Sequence, residues 1–166
     1  MKHSPRCRLA LATLSLGFAL LACEASGQQR GTANGTLTLE GADTPLRVTF
    51  AHAYYITGPD SFDETKTTRS LVFTAEDQTD AIMGCSSRSC AELSMIDGLK
   101  IDLAEQGMAN WWAHVGQKQY SGTAVGKSLS LRVDQPDHLA GTFKIGGSGA
   151  TAAIEFDSAL VKAFDR

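Results

Sequence analysis

From residue 35 onward apolar side chains recur at every second position, and that period fits a half-buried β-strand rather than an amphipathic helix. Leu99, Ile101 and Leu103 alternate with Lys100 and Asp102, the cleanest instance in the chain. Leu37 and Leu39 alternate with threonines, and Leu129, Leu131 and Val133 with Ser128, Ser130 and Arg132. Leu46, Val48, Phe50, His52, Tyr54 and Ile56 read as one face of a long strand, with Arg47, Thr49, Ala51, Ala53, Tyr55 and Thr57 opposite. Leu71 and Phe73, then Leu139 to Ile145, then Ala152, Ile154 and Phe156 continue the pattern. With one strand around Trp111 and a short one around Tyr120, the count comes to about nine.

The connections are short and rich in turn formers: Gly41 to Pro45, Asp134-Gln135-Pro136-Asp137, and Gly146-Gly147-Ser148-Gly149. No strand is followed by the 10–15-residue helical pattern that a parallel βαβ crossover needs. The expectation is an all-β fold, an antiparallel β-sandwich or small barrel. Glu76 to Ile96 breaks the alternation and holds Cys85 and Cys90. It reads as a disulfide-pinned crossover between two sheets, with one short helix over Ala91–Met95.

The N-terminus sets the expected compartment. Lys2, Arg6 and Arg8 precede the uncharged apolar run Leu9 to Ala22, a signal-peptide arrangement too short to span a bilayer. Leu20-Leu21-Ala22-Cys23 resembles the lipobox of bacterial lipoproteins. The resemblance implies cleavage before Cys23, acylation of its sulfur, and, because Glu24 is not Asp, delivery to the outer membrane facing the periplasm. Ordinary cleavage after Ala25 or Gly27, giving a soluble periplasmic or secreted chain, is the alternative. The expected division is a leader over 1–22, a flexible tether over 23–34, and one domain over 35–166.

Removing residues 1–22 from the 166 leaves 144, enough for one core, and loses three cations, so the net charge moves from −3 to −6. An acidic domain without a basic run repels phosphate backbones, which argues against nucleic acid as a partner. Of the four cysteines, Cys7 leaves with the leader and Cys23 is acylated or lost. Cys85 and Cys90 remain, an even pair that reads as a disulfide in an oxidising compartment.

Few residues stand out as sites. In MANWWAHVG the alternation puts Ala109, Trp111, Ala113 and Val115 inward and leaves Asn110, Trp112 and His114 outward. An outward Trp beside Asn and His can stack on a sugar ring or anchor a protein. His52 sits between Phe50 and Tyr54, and could hold a metal with His114 only if the fold joined them. Tyr55 precedes, and Phe62 lies within, an acidic loop whose Asp60, Asp63 and Glu64 lack the alternation of a calcium loop. Gly122 to Ser128 is one residue short of a phosphate loop and runs into a strand. No reactive cluster is visible, so neither a cofactor nor an enzyme is expected.

Leu46–Ile56 leading into Gly58 to Asp63, with Gly141 to Ile145 and Phe156 to Val161, resembles uncharacterised secreted or lipoprotein β-sandwich domains of Gram-negative bacteria. The likeness covers roughly a third of the chain after the leader and implies architecture without any activity. The functional expectation is a non-enzymatic envelope lipoprotein that binds another envelope or secreted protein, an immunity or inhibitor lipoprotein being the sharper form. The alternative is a periplasmic domain for a small ligand, glycan or metal, centred on Trp112 and His114, with His52 as a further member.

Overall fold

The alternating stretches form strands, and all of those strands join one sheet. The computed structural model describes residues 31–40, 44–93, 96–104, 108–147 and 149–165; Cys23 and the leader lie outside them. In chain order the elements are β1 (Thr32–Leu39), β2 (Leu46–Pro59), β3 (Thr67–Thr74), α1 (Thr79–Gly84), α2 (Arg88–Ala91) and β4 (Gly98–Leu103). β5 (Ala109–Val115), β6 (Lys118–Ala124), β7 (Leu129–Gln135), β8 (His138–Ile145) and β9 (Ala150–Ala163) follow. The strand order is β6-β5-β4-β3-β2-β1-β9-β8-β7, with antiparallel neighbours throughout. Because β1 starts only at Thr32, the far half of β9 passes its end and pairs in parallel with β2, Tyr55 opposite Leu160. No helix among the described residues is long and apolar enough to cross a membrane.

The sheet curls until its two halves meet. The Tyr55 hydroxyl on β2 donates to the Pro136 carbonyl in the β7–β8 turn at 3.1 Å, and Arg69 on β3 pairs with Asp134 on β7. At the other edge the Tyr120 hydroxyl reaches the Glu40 carbonyl at 3.2 Å. The apolar face thus becomes an interior, in which the Phe73 ring lies 5.9 Å from that of Phe50 and 5.6 Å from that of Phe156. This is the all-β antiparallel fold of about nine strands that the alternation implies. The segment with the cysteines does not join two sheets, as expected, but links the neighbours β3 and β4.

Three expectations change in detail. First, β2 turns over midway: Val48 and Phe50 face the interior, but so do Ala53 and Tyr55, while Tyr54 and Ile56 face out. The reversal coincides with a bulge, where four residues of β1, Thr32 to Gly35, oppose three of β2, Phe50 to His52. Second, β1 begins at Thr32, within the stretch read as tether; Thr32 and Asn34 are polar yet paired, opposite Asp157 and Glu155. Third, the helical turns fall at α1 and α2, and α2 meets the helix read over Ala91–Met95 only at Ala91; Ser94 and Met95 lie outside the described residues. The Ser87 hydroxyl accepts the Cys90 N–H at 3.3 Å and caps α2, starting it three residues early.

The crossover has its own small core on the outer face. Ile82, Cys85, Ala91 and Phe164 cover Tyr54, Ile56 and Val72, so the middle of β2 and β3 is buried on both sides. That explains the unbroken apolar run Leu71-Val72-Phe73. The Cys85–Cys90 disulfide forms, with its Cα atoms 5.6 Å apart, and closes the turn between α1 and α2. Replacing both cysteines by serine should lower stability by about 2 kcal/mol, the chain entropy of so short a loop. Urea denaturation checks it; an unchanged midpoint would mean that packing alone holds the crossover.

Candidate functional site

Cross-strand partners share a face, so the register lays the outer surface out in rows. One row runs His52, Thr74, Gly98, His114, Gln119 across β2 to β6. The next runs Tyr54, Val72, Lys100, Trp112, Ser121, and a third Ile56, Ser70, Asp102, Asn110, Thr123. The crossover covers the β2 and β3 end of these rows. Glu92, Leu93 and Ile96 of its returning limb stand beside the β4 and β5 end, and between them and the sheet lies a cavity of about 210 Å³.

Gly98 makes the floor of that cavity. A Cβ there would stand 2.7 Å from the Phe73 carbonyl oxygen, so only glycine allows β3 and β4 to come this close. The same lack of a side chain leaves the row bare between Thr74 and His114. Around the gap stand Trp112, His114, Lys100, Gln119, Glu92, Leu93 and Ile96. Trp112 and His114 are half-buried and face out, as the alternation of β5 implies, while Trp111 enters the core against Gly122.

Charges in the wall are compensated within it. Lys100 Nζ lies 3.0 Å from Glu92 Oε2, 3.2 Å from Asp102 Oδ2 and 3.9 Å from the centre of the Trp112 ring. Arg88, only 5% exposed, places Nη1 2.6 Å from Glu92 Oε1 and 3.5 Å from Asp102 Oδ1. Its remaining donors reach the Pro59 carbonyl at 2.9 Å, the Ser61 hydroxyl at 2.9 Å and Ser70 Oγ at 3.1 Å. Two cations and two carboxylates therefore form a closed cluster beneath α2. His114 Nδ1 and Glu92 Oε1 are both buried without a hydrogen-bond partner among the described residues; the first stands 3.7 Å from Asp97 Oδ1, and the second has its ion pair with Arg88.

The other singled-out residues are dispersed. Asn110 lies on the Trp112 face but outside the cavity, its amide oxygen accepting the Thr123 hydroxyl at 2.8 Å. Tyr55 is no surface residue; the reversal in β2 turns it into the interior, and burial pushes its phenol pKa up. His52 is half-buried and stacks on Tyr54, ring centres 6.3 Å apart. It shares a row with His114, but three strand spacings, roughly 14 Å, divide them, too far for one metal ion.

Phe62 is 100% exposed at the tip of the β2–β3 loop. Asp60 Oδ1 accepts the N–H groups of Phe62 at 2.8 Å and Asp63 at 3.0 Å, and Oδ2 accepts the Thr68 hydroxyl at 2.7 Å. The bond from Phe62 is the largest influence holding the Asp60 carboxyl below the usual range. Asp60 and Asp63 thus hold the loop together, and their oxygens are engaged by its own donors.

Sequence reasoning missed Arg88, Glu92, Lys100 and Gln119. The i, i+4 spacing of Arg88 and Glu92 was a usable signal of a helical pair; nothing local said that Lys100 and Asp102, outward on a strand, would be roofed over. No protein-family model matches this chain, and neither the curated proteins nor the solved structures contain a significant match to it. The site stands on its geometry alone.

Proposed function

We propose that this chain is an exported, lipid-anchored binding domain whose outer-face cleft takes a small organic molecule. The carrying observation is the convergence, over a glycine floor, of an aromatic side chain, an imidazole and an amide from β5 and β6 with the apolar Leu93 and Ile96 from the crossover. Small-molecule sites combine such apolar walls with a few placed polar groups. Export and the anchor rest on the leader and the lipobox around Cys23, and the Cys85–Cys90 disulfide agrees with an oxidising compartment. The role is binding, with no reacting group assigned.

Tryptophan emission tests this reading, because Trp112 lines the cleft and Trp111 is sealed in the core. Titrating the processed protein with monosaccharides, amino acids and indole should give a saturable change with at least one compound. Trp112→Ala should weaken that binding about tenfold or more, given the stacking lost. A flat response to the whole panel would remove the cleft as a site.

A second reading has its own observation. Phe62 is fully exposed on a loop locked by Asp60, as an aromatic anchor for a protein partner would be. An envelope or secreted protein, including a cell-wall-directed enzyme inhibited by this chain, fits that surface. Crosslinking in intact cells from position 62 should trap a defined partner that Phe62→Ser loses; an identical pattern from the serine variant would discard the reading.

A further inference from the structure

Resting on the cleft reading above, we propose that the ligand is a single uncharged polar ring, a neutral monosaccharide unit. Three properties of the wall select it. The first is charge. Each ion lining the cavity already has its counter-ion within the protein: Lys100 has Glu92 and Asp102, and Glu92 has Arg88 and Lys100. An anionic or cationic ligand would lose its hydration and find no free opposite charge, a cost that a neutral ligand avoids.

The second is surface type. Trp112 lines the cavity with an indole, the side-chain type that packs against the C–H face of a pyranose, Lys100 lying over one of its faces, and Leu93 and Ile96 supply apolar wall. Lys100, 3.9 Å from the ring centre, increases the positive potential there, which also disfavours a cationic ligand stacking on the same tryptophan. The third is the free polar groups. The exposed Gln119 lines the cavity and stands opposite the half-buried His114 in the row. A sugar hydroxyl can both donate and accept, so it can meet either the oxygen or the NH₂ of the Gln119 amide. Size agrees: about 210 Å³ lies below the roughly 300–1,000 Å³ of clefts for drug-sized molecules, which limits the occupant to about one ring.

Calorimetric titration with four sugars of like shape tests the assignment: N-acetylglucosamine and glucose, both neutral, glucosamine as the cation and glucuronate as the anion. The expected result is that at least one neutral sugar binds about tenfold or more tighter than either charged one. Lys100→Met leaves the Glu92–Asp102 side one negative charge in excess, and it should move the preference towards glucosamine. Should that variant fail to fold, the wild-type ranking alone decides. Equal or tighter binding of glucosamine or glucuronate overturns the neutral-ligand assignment while leaving a binding cleft in place. If none of the four sugars binds but indole or an amino acid gives the Trp112-dependent emission change, the saccharide assignment falls and the cleft stands. If nothing binds by either measurement, both fall.

Discussion

Arg88→Ala should cost the fold about 3–5 kcal/mol, the largest loss expected from any single change outside the core. The substitution removes a guanidinium that is 5% exposed and touches five partners: Glu92, Asp102, Ser70, Ser61 and the Pro59 carbonyl. Two carboxylates and a hydroxyl then remain in a covered space with only Lys100 to balance them. A buried charge deprived of its partner costs far more than the pair itself contributes. Urea denaturation of the variant, set beside Lys127→Ala at an exposed turn, measures the difference. A loss below 1 kcal/mol would mean that water reaches the cluster. Arg88 also ties the base of the Phe62 loop to the wall of the cleft, so the variant should bind ligand more weakly even where it remains folded.

Phe73→Ala should destabilise by a similar amount, about 3–5 kcal/mol, through a different cause. Phe73 is fully buried in the middle of the curled sheet, with the rings of Phe50 and Phe156 on two sides. These three belong to β3, β2 and β9, so the cavity left behind lies where the two halves of the sheet meet. Its lining comes from strands fixed by their own hydrogen bonds, which limits collapse into the space. Phe73→Leu should recover more than half of the loss, since most of the volume returns. If leucine and alanine were equally destabilising, shape rather than volume would be the deciding quantity.

The two variants separate what alternation could and could not announce. Phe73 in the core is legible from its neighbours in sequence, because in a strand the face of one residue dictates the face of the next but one. Arg88 is legible only through Glu92 at i+4, since its other partners come from β2, β3, β4 and the loop after β2. The candidate site divides in the same way. Asn110, Trp112 and His114 were legible as one outward row on β5, but Tyr55 was assigned outward although it enters the core. The bulge between β1 and β2 reverses the later half of β2, and it depends on a pairing partner that the local pattern does not contain.

Read alone, the amino-acid order determined the strands, the inward and outward sets of β4 and β5, and the cysteine pairing. Each of these follows from a two-residue period or from the reach of a few bonds. Tertiary structure decided that nine strands make one curled sheet, that Lys100 and Asp102 face a helix instead of water, and that a bare glycine opens beside Trp112. Those outcomes depend on which distant segments lie against each other, and a strand's own periodicity says which face is covered without saying by what.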